Sequence, residues 1–242
     1  MRGNNRQFKL NGKITSLVKT RQRHNFIIDH IGSGLEATVL SASCAGLEGA
    51  AIAIASIECY EYIDVVEFCL NEEKVYGFFW FFPFQENDYV DLVAIRSGET
   101  CVAYGVRGLV DGIVAVYPHC FEGTRSHYYS VFRFWGIIVT SIFMLMMLLD
   151  TVFSIFNGTF SIVSQLSSYK FYFIYMYPFL LVVFAFLAWR SGRKTECFPQ
   201  IAEMVFRGFG WDSPKNINLR KIAKMKRRVN DGKEYGIRYF RY

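Results

Sequence analysis

His119 and Cys120 stand side by side in YPHC, and His127 follows in FEGTRSHYY. An imidazole beside a thiol is the pairing that activates a cysteine nucleophile, and two histidines with a cysteine could begin a metal site. Nothing else in the chain completes either chemistry. His24 and His30 are distant in sequence, and the cysteines at 44, 59, 69, 101, 120 and 197 form no C-x-x-C pair. No further ligand cluster follows at zinc spacing, and no third group that would orient a Cys–His pair can be named. Walker, G-x-S-x-G, H-E-x-x-H and G-x-G-x-x-G signatures are missing from the sequence. The expectation is therefore no catalytic residue, no metal and no cofactor, with free thiols in a reducing compartment. YPHCFEGTRSHYY reads more simply as a linker into a membrane, with Pro118 and Gly123 for the bend and Tyr128, Tyr129 and Trp135 at headgroup level.

Asp150 is the other residue that could do chemistry, because it interrupts the apolar run FMLMMLLDTVFSIF. Between Phe134 and Tyr169 it is the one Asp, Glu, Lys, Arg or His, and from Phe171 to Trp189 there is none. Two such stretches match the roughly 30 Å hydrocarbon layer at about 1.5 Å per helical residue. Transmembrane helices are expected over 134–156 and 171–190, joined by a short external connection over 157–170 and preceded by a juxtamembrane linker over 123–133. A carboxylate near the outer end of the first span needs a partner. Tyr175, Tyr177 and Lys170 are the candidates at matching depth. A polar lock between the helices is favoured over an ion pathway.

The elements that must position these residues follow from charge and periodicity. Residues 1–23 carry seven Lys/Arg and no acid, residues 58–122 carry twelve Asp/Glu against three Lys/Arg, and residues 190–242 carry fourteen Lys/Arg against five Asp/Glu. Lys/Arg counted near the span ends places both termini on the cytoplasmic side of a multi-pass protein. Met1–Lys13 is polar and basic with no apolar stretch behind it, which is unlike a cleavable signal. Within residues 1–122, FKLNGKITSLVKT, VVEFCL, VYGFFWFFPF, YVDLVAI, TCVAYGV and IVAVYP read as strands separated by hairpin-sized turns, the first of these turns being Asn71–Lys74. They predict a small cytoplasmic β-barrel of the OB or SH3-like kind. Residues 34–57 are dense in Ala, Gly and Ser and predict a helix, packed on the barrel in preference to entering the membrane. The fold class is thus α+β membrane protein.

LNGKITSL, AGLEGAA, VVEFCLNEEKVYGFFWFFPFQENDYVDLVA and IVAVYPHCFEGTRSHY resemble successive blocks of a bacterial family labelled type VI secretion system effector. The resemblance covers about residues 8–130, with two hydrophobic spans following as they do in that family. It implies association with a contact-dependent toxin-delivery machine in the inner membrane, and no defined reaction. In this chain Asn87 stands where a turn glycine is expected.

The tail over 191–242 is expected as a basic cytoplasmic segment with a helix starting at Asp212 or Ser213 and stopping near Asp231–Gly232. Arg220, Lys221, Lys224, Lys226, Arg227 and Arg228 would lie on anionic lipid headgroups, at about 1 kcal/mol each. Docking on the acidic β domain is the alternative, and nucleic acid is the weaker third choice. Two functions compete. The one placed first is a membrane-active effector that perturbs the bilayer or forms an ion pathway in place of catalysing a reaction. The other is an immunity or accessory protein whose β domain binds a protein partner. A homo-oligomer is open to both.

Overall fold

A computed structural model describes residues 7–24, 61–97 and 100–242, so the segment expected as a helix over 34–57 lies outside the described residues. The chain divides into two compact units, Met1–Ser126 with Thr195–Tyr242, and His127–Lys194.

The first unit is built on the expected strands. These are β1 (Gln7–His24), β2 (Glu61–Leu70), β3 (Glu73–Phe79), β4 (Tyr89–Ser97), β5 (Thr100–Gly108) and β6 (Ile113–Val116). Alternation of buried and half-exposed residues along β2 is the period-2 signature of a strand with one face in the core. β1 pairs with β4 through Gln7–Lys13 and with β2 through Ile14–His24, both antiparallel. A bulge between Thr15 and Val18 bends it from one side of the barrel to the other. β3 then closes on β5 in parallel, with Val75 opposite Cys101 and Gly77 opposite Ala103, giving a five-stranded barrel. A Cβ on Gly77 would lie 2.5 Å from the Phe79 ring and 3.2 Å from the Ala103 Cβ, so a side chain there would have to displace that ring. The seam is three residue pairs long, Val75–Gly77 against Cys101–Ala103, and it protects the edges of β3 and β5 there.

Between β2 and β3 the turn is two residues, Asn71 and Glu72, at φ 49° and 70°. Positive φ at both positions is the hairpin geometry that matches strand twist, and asparagine tolerates it best. Asn87, at φ 77°, likewise takes the left-handed backbone that glycine would supply. Inside the barrel Phe68, Phe79, Phe82, Leu70, Leu92 and Val75 are fully buried. Phe82 and Phe84 come from the loop after β3, their rings 5.2 Å apart edge to face.

The tail is where expectation and structure part. It is not an independent basic segment. It folds into the same unit as the barrel, as α4 (Cys197–Gly208), a 3-10 turn (Pro214–Asn216), α5 (Leu219–Met225) and β7 (Phe240–Arg241). Phe198, Ala202, Val205, Phe206 and Phe209 recur at helical spacing and are buried on Val93, Val114, Val116 and Tyr117, a second core on the barrel's outer face. Each large side chain there contributes about 1.5–3 kcal/mol. β7 pairs with β6, Phe240 opposite Val114. The expected helix shrinks because Ser213 lies at φ 51° and Asn218 caps a new helix, its side chain accepting from Lys221 N. Arg241 anchors the end through two 3.0 Å bonds to Asp231.

The second unit holds α1 (Thr124–Phe156), α2 (Ile162–Phe171), a π turn (Tyr172–Met176) and α3 (Tyr177–Lys194). Two boundaries differ from expectation. The helix begins at Thr124, so 123–133 is no separate linker, and the connection is only 157–161, since no Gly or Pro interrupts residues 162–177. Pro178 has no N–H for the helical ladder, and the π turn stands directly before it, with Tyr177 N donating to Tyr172 O. The helices run antiparallel, with contacts of Trp135 on Phe184, Phe143 on Tyr177 and Thr151 on Tyr169. Both are long and apolar enough to cross a membrane, and only 11% and 6% of their most apolar windows are buried. A core helix of a water-soluble protein would bury most of that surface.

Candidate functional site

Glu61, at the start of β2, and Trp80, just past β3, face a cleft of about 340 Å³ lined also by Tyr62, Arg220, Ile237 and Arg238. The barrel supplies Glu61, Tyr62 and Trp80, and the tail supplies the rest. Trp80 Nε1 donates to Glu61 Oε2 at 2.5 Å, which fixes the indole. His119 Nε2 lies 3.2 Å from the same oxygen. The imidazole also stands edge-on to Trp80 at 4.8 Å. Its backbone is at φ 66°, a conformation that costs a non-glycine residue about 1 kcal/mol or more and that surrounding structure must hold. Arg220, from α5, lies over the Phe121 ring at 3.8 Å and near Trp80 at 5.8 Å. Burial pulls its guanidinium below the usual range, opposed by the charges of Glu122 and Glu61.

His119 beside Glu61 holds that carboxyl below the ordinary value of 4.5, helped by the Trp80 N–H and the Arg238 charge and opposed by burial. A carboxyl depressed in the folded state stabilises the fold above its unfolded value and loses that contribution as pH falls. Thermal unfolding midpoints should therefore drop as pH is lowered from about 5 toward 3. Glu61→Gln should flatten part of that limb, read by calorimetry in detergent. Asp231, lowered by its bonds to Arg241, accounts for a further part.

Cys120 is fully buried, and burial, with Cys197 nearby, pushes its thiol well above the ordinary value. A neutral, inaccessible thiol is not a nucleophile. Among the described residues no group of three or more His, Cys, Asp or Glu could hold a metal ion.

Asp150 is also placed by the structure, with different partners from those expected. Its Oδ2 accepts from Gln165 Nε2 at 2.9 Å and its Oδ1 from Tyr172 OH at 3.4 Å. Tyr177 instead meets Thr140 at 3.3 Å, and Tyr175 packs on Phe171 at 5.2 Å. Lys170 sits at the end of α2 and is not among the groups bonded to Asp150. The helix turns out to begin at Ile162, which brings Gln165 into the position that the connection was expected to hold. Interhelical hydrogen bonds of this kind average about 0.6 kcal/mol in membranes. Asp150→Asn should thus leave detergent unfolding nearly unchanged, and Asp150→Leu should shift it by less than about 1 kcal/mol.

The six basic residues expected on lipid are divided. Arg220, Lys224 and Arg227 line clefts. Lys221 lies in the first turn of α5, where its backbone N–H bonds to Asn218. Lys226 stands over the Tyr242 ring at 5.4 Å, and Arg228 donates its backbone N–H to Asp231. Glu61, Trp80, Arg238, Gln165 and Tyr172 were not anticipated as site residues. No family model, curated protein or solved structure gives a significant match to this chain.

Proposed function

We propose that this is a bacterial inner-membrane protein, anchored by a two-helix transmembrane hairpin, whose cytoplasmic barrel unit binds a protein partner. The observation that carries the reading is that residues before and after the helix pair build one folded unit. β6 pairs with β7, and Glu122 bridges Asn218. A single folded unit occupies one side of a bilayer, so both helices open to that side. The many Lys/Arg flanking the helices favour the cytoplasm. The barrel order, β1-β2-β3-β5-β4 closing on β1, is of the OB type, a scaffold used mostly for binding. The resemblance to the type VI effector family supplies the setting, an accessory or immunity role beside a toxin-delivery machine.

The second reading, a membrane-active effector, is favoured by the exposed apolar faces of both helices, which lipid or a second copy must cover. Fusion reporters and growth decide between them. Green fluorescent protein after Tyr242 should fluoresce, and alkaline phosphatase inserted after Gly158 should be active. Phosphatase activity at the C-terminus would overturn the topology. Harmless expression with an unchanged membrane potential supports the binding reading, and depolarisation supports the effector.

A further inference from the structure

A second cleft of about 280 Å³ opens beside the first and shares Arg220 and Ile237 with it. Its other charged walls are Lys224, Arg227 and Lys233, with no carboxylate among the lining residues. Arg220 and Lys224 lie one turn apart on α5, and Arg227, just past the end of the helix, lines the same cleft. Lys224 and Arg227 are exposed and have no ion pair among the described residues, unlike Arg238, which pairs with Glu234 at 3.1 Å. Tyr235 lines the same end, and its hydroxyl is buried without an aligned hydrogen bond, near the Arg241 guanidinium over its ring. Charged groups thus stand at both ends of the space that the two clefts make together. One end is cationic, and the other carries the Glu61 carboxylate with the aromatic walls Tyr62 and Trp80.

Lys224, Arg227 and Lys233 stand in a wall that holds no carboxylate, beside Arg220, which feels Glu61 and Glu122, and an anion with several oxygens relieves their mutual repulsion. Arginine suits phosphate through paired N–H donors, and lysine adds a point charge. The carboxylate at the far end repels an anion there and accepts N–H or O–H donors instead. We infer that the two clefts form one site for a phosphate ester, with the phosphate between Arg220, Lys224, Arg227 and Lys233 and the rest of the ligand along Tyr62 and Trp80. This goes beyond the anchoring reading and does not depend on it. A soluble nucleotide and a lipid headgroup share this chemistry.

Calorimetric titration of the full chain in uncharged detergent tests it, with ADP as the soluble probe and dihexanoyl phosphatidic acid as the headgroup probe. Binding by at least one probe is expected, weakening by about tenfold or more in the Lys224→Glu/Arg227→Glu double variant and as salt is raised. The probe that binds more tightly names the source. Both residues are solvent-facing, so the unfolding midpoint of the variant should match the parent. Tyr62→Ala should weaken the intact ester more than it weakens inorganic pyrophosphate. Failure of both probes to bind, or binding that survives charge reversal, overturns the inference whatever the reporters show about topology.

Discussion

Replacing Asp64 with alanine is expected to destabilise the barrel unit by about 3 kcal/mol, more than any exposed substitution in it. Asp64 is fully buried on β2. Its Oδ2 accepts from the backbone N–H of Phe82 at 2.9 Å and pairs with Lys19 Nζ at 3.0 Å. Lys19 in turn donates to Phe82 O at 2.8 Å and stands over the Phe81 ring at 4.6 Å. One carboxylate thus ties β1, β2 and the loop that delivers Phe82 and Phe84 into the core. Alanine leaves the Phe82 N–H buried without an acceptor, which costs more than the lost bond itself contributes. Two features limit the loss. Oδ1 has no partner, so some desolvation cost disappears with the side chain, and Lys19 is 36% exposed and can turn to water. Asp64→Asn keeps an acceptor for Phe82 and should cost about 1 kcal/mol. Urea unfolding of the full chain in detergent, followed by tryptophan fluorescence, separates the two variants. Equal losses for both would mean that the Phe82 amide does not depend on Asp64.

The barrel was legible in the sequence because each strand announces itself locally. Alternation in EYIDVVEFCL and β-branched or aromatic runs such as YVDLVAI are properties of a few neighbouring residues. The parallel closure of β3 on β5 was not legible, since register between distant segments leaves no local trace. β7 is two residues long and carries no periodic signal at all. The amphipathic face of α4 was readable in CFPQIAEMVFRGFGW, but the surplus of Lys/Arg over 191–242 drew the reading toward lipid. A block's net charge describes its solvent face and is silent about the apolar stripe beneath it. The partners of Asp150 were missed for a related reason. A span over 171–190 puts Tyr175 and Tyr177 at matching depth, whereas serine, glutamine and lysine in IVSQLSSYK continue the helix back to Ile162. The cleft around Glu61 and Trp80 joins β2, the end of β3, α5 and the chain around Ile237, a juxtaposition that only the folded tail creates.

Gly123→Ala is the second large effect, again about 3 kcal/mol, and it tests the joint on which the topology rests. A Cβ on Gly123 would overlap the carbonyl oxygen of Pro214 and lie 2.8 Å from the Lys215 backbone. These are main-chain atoms, so no side chain can swing away. The junction is held by Gly123 N on Ile217 O at 2.9 Å and Leu219 N on Phe121 O at 2.8 Å. Asn218 Nδ2 adds a bond to Glu122 at 2.8 Å and one to Ser126 at 3.2 Å. Forcing the strands of chain apart should release α5 and β7, while the core inside the barrel, which draws on β1 to β6 and the loop after β3, stays folded. Limited proteolysis should then cut the chain over 226–233 at concentrations that leave the parent intact. Gly136→Ala is the control, because a Cβ there meets nothing within 4 Å. If Gly123→Ala were as silent as Gly136→Ala, the two flanks of the helix pair would not be joined there. Lys/Arg distribution alone would then place both helix ends on one side. A tail released by the substitution, with the reporter after Tyr242 still fluorescent, would separate the fold of the joint from the sidedness that it supports.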